Sequence, residues 1–335
     1  MTNHFRAEMP RPIIALGHSM GGHNVTSLAL LHPRLLDALV LIDPVMMRAA
    51  TRSGHFAEAR ASTFRRDLWP SRAAAAAAFR KNPFYARWDP RVLDLWLQHG
   101  LRDLPTLVHP SLDAAAGVPA ATDRRSAINT LASAAAGVIP PVPAPSPLAT
   151  PVTLTTPKHQ EVFGFARRNY PASRSGPTVA PTPKRLTHPD LPDTSVTDAD
   201  AVYPFYRPEP MALFAQLPHL RPRCLYVFAE DSHLSAPEHV ADKLAVTGVG
   251  EGGSGGVEEG AVQHVVMKKA GHFVPFERPK DVAELVERFL AREMVRWRGE
   301  EQELARGWRG RSQRDKVVVD EEWLYWMGTL GKPKM

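Results

Sequence analysis

The sequence predicts an α/β protein built on a mostly parallel sheet, and a few apolar runs carry that prediction. Ile13 to Leu16, Ala38 to Ile42 and Cys224 to Phe228 are continuous rather than alternating, as expected of strands buried on both faces. A helix-length segment, Gly22 to His32, separates the first two, which makes a β-α-β unit with parallel pairing and a right-handed crossover. A further strand, His264 to Lys268, precedes a helix starting at Pro279 that brings Val282, Leu285, Val286, Phe289 and Leu290 onto one face.

Composition bounds the rest. The 335 residues can bury a large core, and hydrophobic and charged contents of 44% and 23% are those of an ordinary water-exposed domain. A single cysteine, Cys224, excludes a disulfide framework and a cysteine-built zinc site, and points to a reducing compartment. No cofactor and no metal are expected. No apolar run reaches bilayer-spanning length, so no integral membrane segment is expected. The net charge of +6 is modest, with its basic residues concentrated only from Arg296 to Lys316, and nucleic acid is not an expected partner. The 32 prolines are the compositional outlier.

In chain order, Thr2 to Glu8 reads as a helix end broken by Pro10 and Pro12. The strand Ile13 to Leu16 then runs without a gap into Gly17-His18-Ser19-Met20-Gly21-Gly22. A G-x-S-x-G at a strand-to-helix junction is the pattern of a nucleophile elbow, in which the serine takes strained dihedrals and a Cβ at Gly17 or Gly21 would collide with neighbours. The helix N-terminus faces the same rim, placing the Met20 amide to donate to an oxyanion. His18, His23 and His32 read as local structure around the elbow. After Asp43-Pro44 the periodicity changes. Ser71 to Arg80, with six consecutive alanines, predicts a helix. Asp89 and Pro90 predict the N-cap and first turn of another, with Val92, Leu95, Trp96 and His99 on one face. Ile139 to Pro151 reads as an extended Pro-rich linker, and Pro171 to Asp200 as disordered.

The sheet resumes at Cys224. Ser235 and Glu238 suggest a capping box opening a helix to Val246. Gly248, Gly250 and Gly253 spell G-x-G-x-x-G, but the motif follows a helix and precedes a strand, so it reads as a flexible connection and not a dinucleotide site. His272 lies on a loop just past a late strand, where a general base downstream of the elbow serine is expected. Val317 to Met327, with Trp323 and Trp326, reads as a packed terminal segment, the less favoured alternative being a membrane-surface role.

These residues resemble the α/β-hydrolase superfamily. The resemblance is carried by Gly17 to Gly22, Leu41-Ile42-Asp43-Pro44, the Leu225 to Ser232 strand and turn, and Gly271-His272. More narrowly, Leu30 to Leu36, Trp88 to Val92 and the Gly248 to Gly256 loop resemble fungal peroxisomal hydrolases of the toxin-biosynthesis type. The resemblance implies an α/β-hydrolase-type mostly parallel sheet with a large helical and Pro-rich lid insertion. Residues 1–44 would form the elbow part of the core, 45–220 the lid, 221–294 the second part of the core and 295–335 a basic tail. Superfamily members take a second oxyanion donor from a loop after an early strand, and this chain begins after that point. The implied hydrolase is therefore expected to lack its early strands, as a fragment of a longer protein or as an inactive one.

Carried onto these residues, the resemblance makes Ser19 the nucleophile, His272 the base and Met20 N an oxyanion donor. The acid is left between Asp43 and Asp231, with Asp43 favoured and Glu230 a remote third. The usual G-x-x-D at the end of the later strand puts Ser232 where the aspartate would stand, with Asp231 one residue early, and a one-residue slip reverses side-chain direction. The implied function is a serine esterase or thioesterase acting on a small acyl substrate, the alternative being a non-catalytic binding protein on the same fold. Pro333-Lys334-Met335 resembles a relaxed peroxisomal address, which would engage an import receptor.

Overall fold

A computed structural model describes residues 11–48, 56–110, 150–168, 205–207 and 209–329. The expectations for Thr2 to Glu8, for most of the linker beginning at Ile139, for Pro171 to Asp200 and for Pro333 to Met335 lie outside these residues.

The chain opens with β1 (Ile14–His18), α1 (Met20–Leu31) and β2 (Ala38–Ile42). A long intervening stretch holds α2 (Phe56–Phe64), β3 (Leu68–Trp69), α3 (Arg72–Lys81), α4 (Pro83–Ala86), α5 (Pro90–His99) and β4 (Leu101–Asp103). It continues through β5 (Val152–Leu154), α6 (Lys158–Phe165), β6 (Arg167–Arg168), β7 (Phe205–Tyr206) and α7 (Glu209–Phe214). The sheet then resumes with β8 (Arg223–Ala229), α8 (Pro237–Val246) and β9 (Val262–Met267), followed by α9 (Val274–Glu277), α10 (Pro279–Arg309) and α11 (Glu321–Thr329).

The main sheet has the order β1-β2-β8-β9, all parallel. Ala38 pairs with Arg223 and Ile42 with Val227, so strands far apart in sequence become neighbours. Alternate residues of β2 and β8 face two helical layers, as the period of a strand dictates. Leu39, Leu41, Cys224, Tyr226 and Phe228 pack with Ala29 of α1, Leu213 and Phe214 of α7, Leu217 and Leu220. Ala38, Val40, Ile42, Leu225 and Val227 pack with Val282 and Phe289 of α10. Both faces are covered, which is why these strands read as continuous apolar runs.

The intervening stretch builds a second core on an antiparallel sheet of order β3-β5-β4, from Trp69, Phe79, Leu93, Leu101, Val152 and Leu154. Ser71 caps α3, its side chain accepting from Ala74 N, and Asp89 caps α5 with Pro90 in the first turn. The buried side of α5 is Leu93 with Trp96 and Leu97 packed beside it, and Leu95 is 55% exposed. The expected Val92–Leu95–Trp96–His99 stripe is thus displaced around the helix. The segment carries two adjacent apolar stripes, and the small sheet selects one.

Two further expectations are corrected, for the 248–256 loop and the terminal segment. The 248–256 loop is bonded down, with Gly248 N, Gly250 N and Ser254 N donating to the carbonyls of Leu217, Pro218 and Leu220. Gly248 takes φ 74°, which suits a residue without a Cβ. Helix α10 runs from Pro279 to Arg309 without a break. Trp323 and Trp326 of α11 are 57% and 59% exposed and not packed. Five consecutive large apolar residues, Trp323 to Met327, point to every side of a helix, so one buried face cannot hold them. No helix among the described residues is long and apolar enough to cross a membrane.

Candidate active site

The elbow is built by backbone constraints. Ser19, between β1 and α1, has φ 57° and ψ −119°, a conformation that side-chain-bearing residues rarely adopt. It is held there by bonds on both sides: Ser19 N donates to Ile42 O at 2.9 Å, and Val45 N donates to Ser19 O at 3.2 Å. A Cβ at Gly17 would stand 2.4 Å from the backbone of Gly21, and one at Gly22 would stand 2.8 Å from Pro44 Cβ. Gly21 itself has open space around it. The close approaches are therefore at Gly17 and Gly22, a correction to the expectation at Gly21; the helix turns Gly21 outward.

His272 follows β9 and reaches the elbow. Its Nε2 lies 3.0 Å from Ser19 Oγ and its Nδ1 lies 2.6 Å from Asp43 Oδ2. A carboxylate only accepts, so the Nδ1 proton is donated to Asp43 and Nε2 is left to receive a proton from Ser19. Asp43 directly follows β2, has φ 41°, and donates its amide to Val227 O at 2.8 Å. Its side chain is fully buried. Ser232 Oγ donates to Asp43 Oδ2 at 2.5 Å and Ser235 Oγ donates to Oδ1. Burial pushes the Asp43 carboxyl up, but the bonds from His272, Ser232 and Ser235 and the nearby imidazole outweigh it, and its pKa falls below the ordinary value.

Asp231 is not brought to this group. It is exposed, and its amide donates to Ala270 O at 2.9 Å. Glu230 turns the other way and accepts from Lys268 Nζ at 2.8 Å and Lys269 N at 2.9 Å. Ser235 does not form the expected capping box: the N-cap of α8 is Ala236, without a side-chain cap, and Ser235 serves Asp43 instead. The Ser235 hydroxyl donates to a buried carboxylate, a charge-assisted bond stronger than the neutral one its oxygen would accept from a helix amide. Sequence reasoning missed the two serines as partners of Asp43, although Ser232 standing where an aspartate is usual was the available signal.

Met20 opens α1, so its amide lacks an intrahelical acceptor and is free for an oxyanion. Its side chain packs near Val45, Met47 and Leu234, and the Arg207 guanidinium rests against its sulfur. His23 holds Val45 O through Nδ1 at 3.3 Å, and His32 closes the end of α1. The intervening stretch touches the His272 loop through aromatics: Phe84 meets Phe273 at 4.8 Å and Trp88 meets Phe276 at 4.7 Å between ring centroids. Asp89 N donates to Phe276 O at 2.8 Å, and Arg87 pairs with Glu277 at 3.0 Å. Lys243, fully buried, donates to Leu234 O at 2.9 Å; burial lowers its pKa to about 8 against the pull of Asp43 and Asp242.

No family model matches the chain. A protein of Penicillium brevicompactum described as type I acyl-CoA thioesterase mpaH' is 37% identical over 330 residues, covering 96% of this chain and 68% of the relative. Abhydrolase domain-containing protein AFT2-1 of Alternaria alternata is 22% identical over 320 residues, covering 95% of this chain and 98% of the relative. Among solved structures, the peroxisomal α/β-hydrolase Lpx1 of Saccharomyces cerevisiae aligns over 92% of this chain and 64% of its own, with 12% identity and a TM-score of 0.48. The chain thus spans about two thirds of the thioesterase's length. Matched over 96% of its own residues at 37% identity, the chain belongs to the family of the type I acyl-CoA thioesterases.

Proposed function

We propose that the chain hydrolyses acyl thioesters, with an acyl-CoA as the substrate class, through a Ser19–His272–Asp43 triad. The observation that carries this reading is the unbroken hydrogen-bond path from the strained Ser19 hydroxyl through His272 to buried Asp43. The thioester class is taken from the relatives named as acyl-CoA thioesterases.

In this mechanism Ser19 Oγ attacks the acyl carbonyl carbon while His272 Nε2 takes its proton. The carbonyl oxygen becomes an oxyanion and accepts from Met20 N. Asp43, accepting from Nδ1, holds the ring in orientation and stabilises the imidazolium. The tetrahedral intermediate collapses, the thiolate leaves with the proton from His272, and Ser19 is left acylated. Water, deprotonated by the same imidazole, then releases the acid and restores Ser19. The 45–220 segment acts as a lid, its Phe84 and Trp88 forming an apolar wall beside the base.

Labelling by a fluorophosphonate probe tests the nucleophile. Loss of labelling in Ser19→Ala, together with loss of free-thiol release from an acyl-CoA, is the expected result. Unchanged labelling or thiol release in that variant would overturn the reading. A folded chain that never labels would place it among non-catalytic binding proteins on this fold.

A further inference from the structure

His18 is the last residue of β1 and is joined by a peptide bond to Ser19, yet its side chain points at the other reacting residue. Its Nε2 lies 2.8 Å from the main-chain carbonyl of His272, and the two rings sit 4.8 Å apart at 35°. A carbonyl oxygen only accepts, so Nε2 carries the proton and donates it. The ring is closed in by Phe273 at 6.1 Å and Phe276 at 6.0 Å.

Resting on the assignment of Ser19 and His272 as nucleophile and base, we propose that His18 is a positioning residue that fixes the His272 peptide relative to Ser19 through its Nε2–H. Two residues 253 positions apart must meet within hydrogen-bond range, and His18 spans that gap with one side chain. It belongs to the strand that delivers the serine and grips the backbone of the histidine. The side-chain bonds of His272 to Asp43 and Ser19 set the ring's rotation; the bond from His18 sets where its backbone stands.

The environment also keeps His18 uncharged. Burial, and then the neighbouring His272, lower its pKa to about 4, partly offset by the bond to the His272 carbonyl and by Asp43. At neutral pH the ring is neutral. It therefore supplies a donor beside His272 without placing a second positive charge against the imidazolium that forms there during acyl transfer.

The test separates donation from packing. Glutamine places an amide N–H close to where histidine Nε2 stands, asparagine places it nearer Nδ1, and phenylalanine keeps the ring without a donor. In the full chain, His18→Phe is expected to lower kcat and the fluorophosphonate labelling rate by roughly tenfold to a hundredfold with KM within about twofold, since misplacement near 1 Å costs on the order of a hundredfold. His18→Gln is expected to recover to within about threefold of the parent, and His18→Asn to stay impaired, in line with the worth of one hydrogen bond. Unfolding temperatures read alongside confirm that the variants are folded. Should His18→Phe fail to fold, the Gln and Asn variants, which differ only in reach, carry the comparison. Full kcat in His18→Phe, or equal impairment of Gln and Asn, would overturn the proposal. Labelling that persists in Ser19→Ala would instead overturn the nucleophile assignment, so the two failures are distinguishable.

Discussion

Ser232 donates its hydroxyl proton to Asp43 across 2.5 Å, so the residue standing at the usual place of a catalytic aspartate supports an aspartate from a different strand. The carboxylate has its place at the end of β2, and the end of β8 supplies hydroxyls.

That exchange separates the two aspartates experimentally. Asp43→Asn should lower kcat by roughly a thousandfold or more, because the imidazole loses both its orientation and its counter-charge. Asp231→Asn, exposed and facing away, should stay within about twofold. Steady-state hydrolysis of an acyl-CoA by both variants checks this, and the reverse ranking would reassign the acid.

The serines should register in acid stability. The Asp43 carboxyl is depressed below its ordinary 3.8, so its contribution is fully present above that pH and is lost as pH falls through the folded value. Removing both hydroxyls, as in a Ser232→Ala, Ser235→Ala chain, leaves the buried carboxylate with fewer donors and raises its folded pKa. Each bond to a charged acceptor is worth about 1.5–3 kcal/mol, so the acid unfolding midpoint should move to higher pH. Circular dichroism during acid titration reads the shift.

Lys243 should mark the alkaline side. Its pKa is about 8 when folded and 10.5 ordinarily, so the unfolded chain binds its proton more tightly. Stability from this group is fully present above 10.5 and is lost as pH falls through about 8. Denaturant unfolding should gain on the order of 3 kcal/mol between those limits. In Lys243→Met that rise should disappear. A variant that keeps it would show that another group is responsible.

At the elbow, Gly17→Ala should abolish folding or cost several kcal/mol, since the atoms it would meet at 2.4 Å are backbone and cannot yield. Overpacking of yielding sites costs only about 1–3 kcal/mol. Gly21→Ala, with nothing within 4 Å, should leave the unfolding midpoint close to the parent. Thermal melts of the two variants make the comparison, and equal effects would contradict the crowding described here.

The legible parts of this fold were those written in neighbouring residues. The run into Gly17-His18-Ser19-Met20-Gly21-Gly22 announces strand, turn and helix because the pattern is local, and the Pro279 helix announces itself by its spacing. The acid was legible only as a pair of options. Which aspartate faces His272 depends on how β2 and β8 align, and that is a long-range matter. The same holds for Ser235, whose local context suggests a cap while the folded chain offers a buried carboxylate. The buried side of α5 was misjudged because two stripes compete within one helix, and the choice is made by Phe79 and Leu154 from elsewhere in the chain. For α11, the apolar residues were visible but not the fact that they remain exposed.

The insertion of just over half the chain between adjacent strands β2 and β8 bears on how this molecule can diversify. Closing a connection costs entropy that grows only logarithmically, about 0.6 kcal/mol for each doubling of its length. The excursion can therefore lengthen, shorten or change its aromatic wall at little thermodynamic penalty, while the strand register that sets Asp43 against His272 stays as it is. Acceptance of new acyl groups and retention of the chemistry are, on this architecture, separable traits.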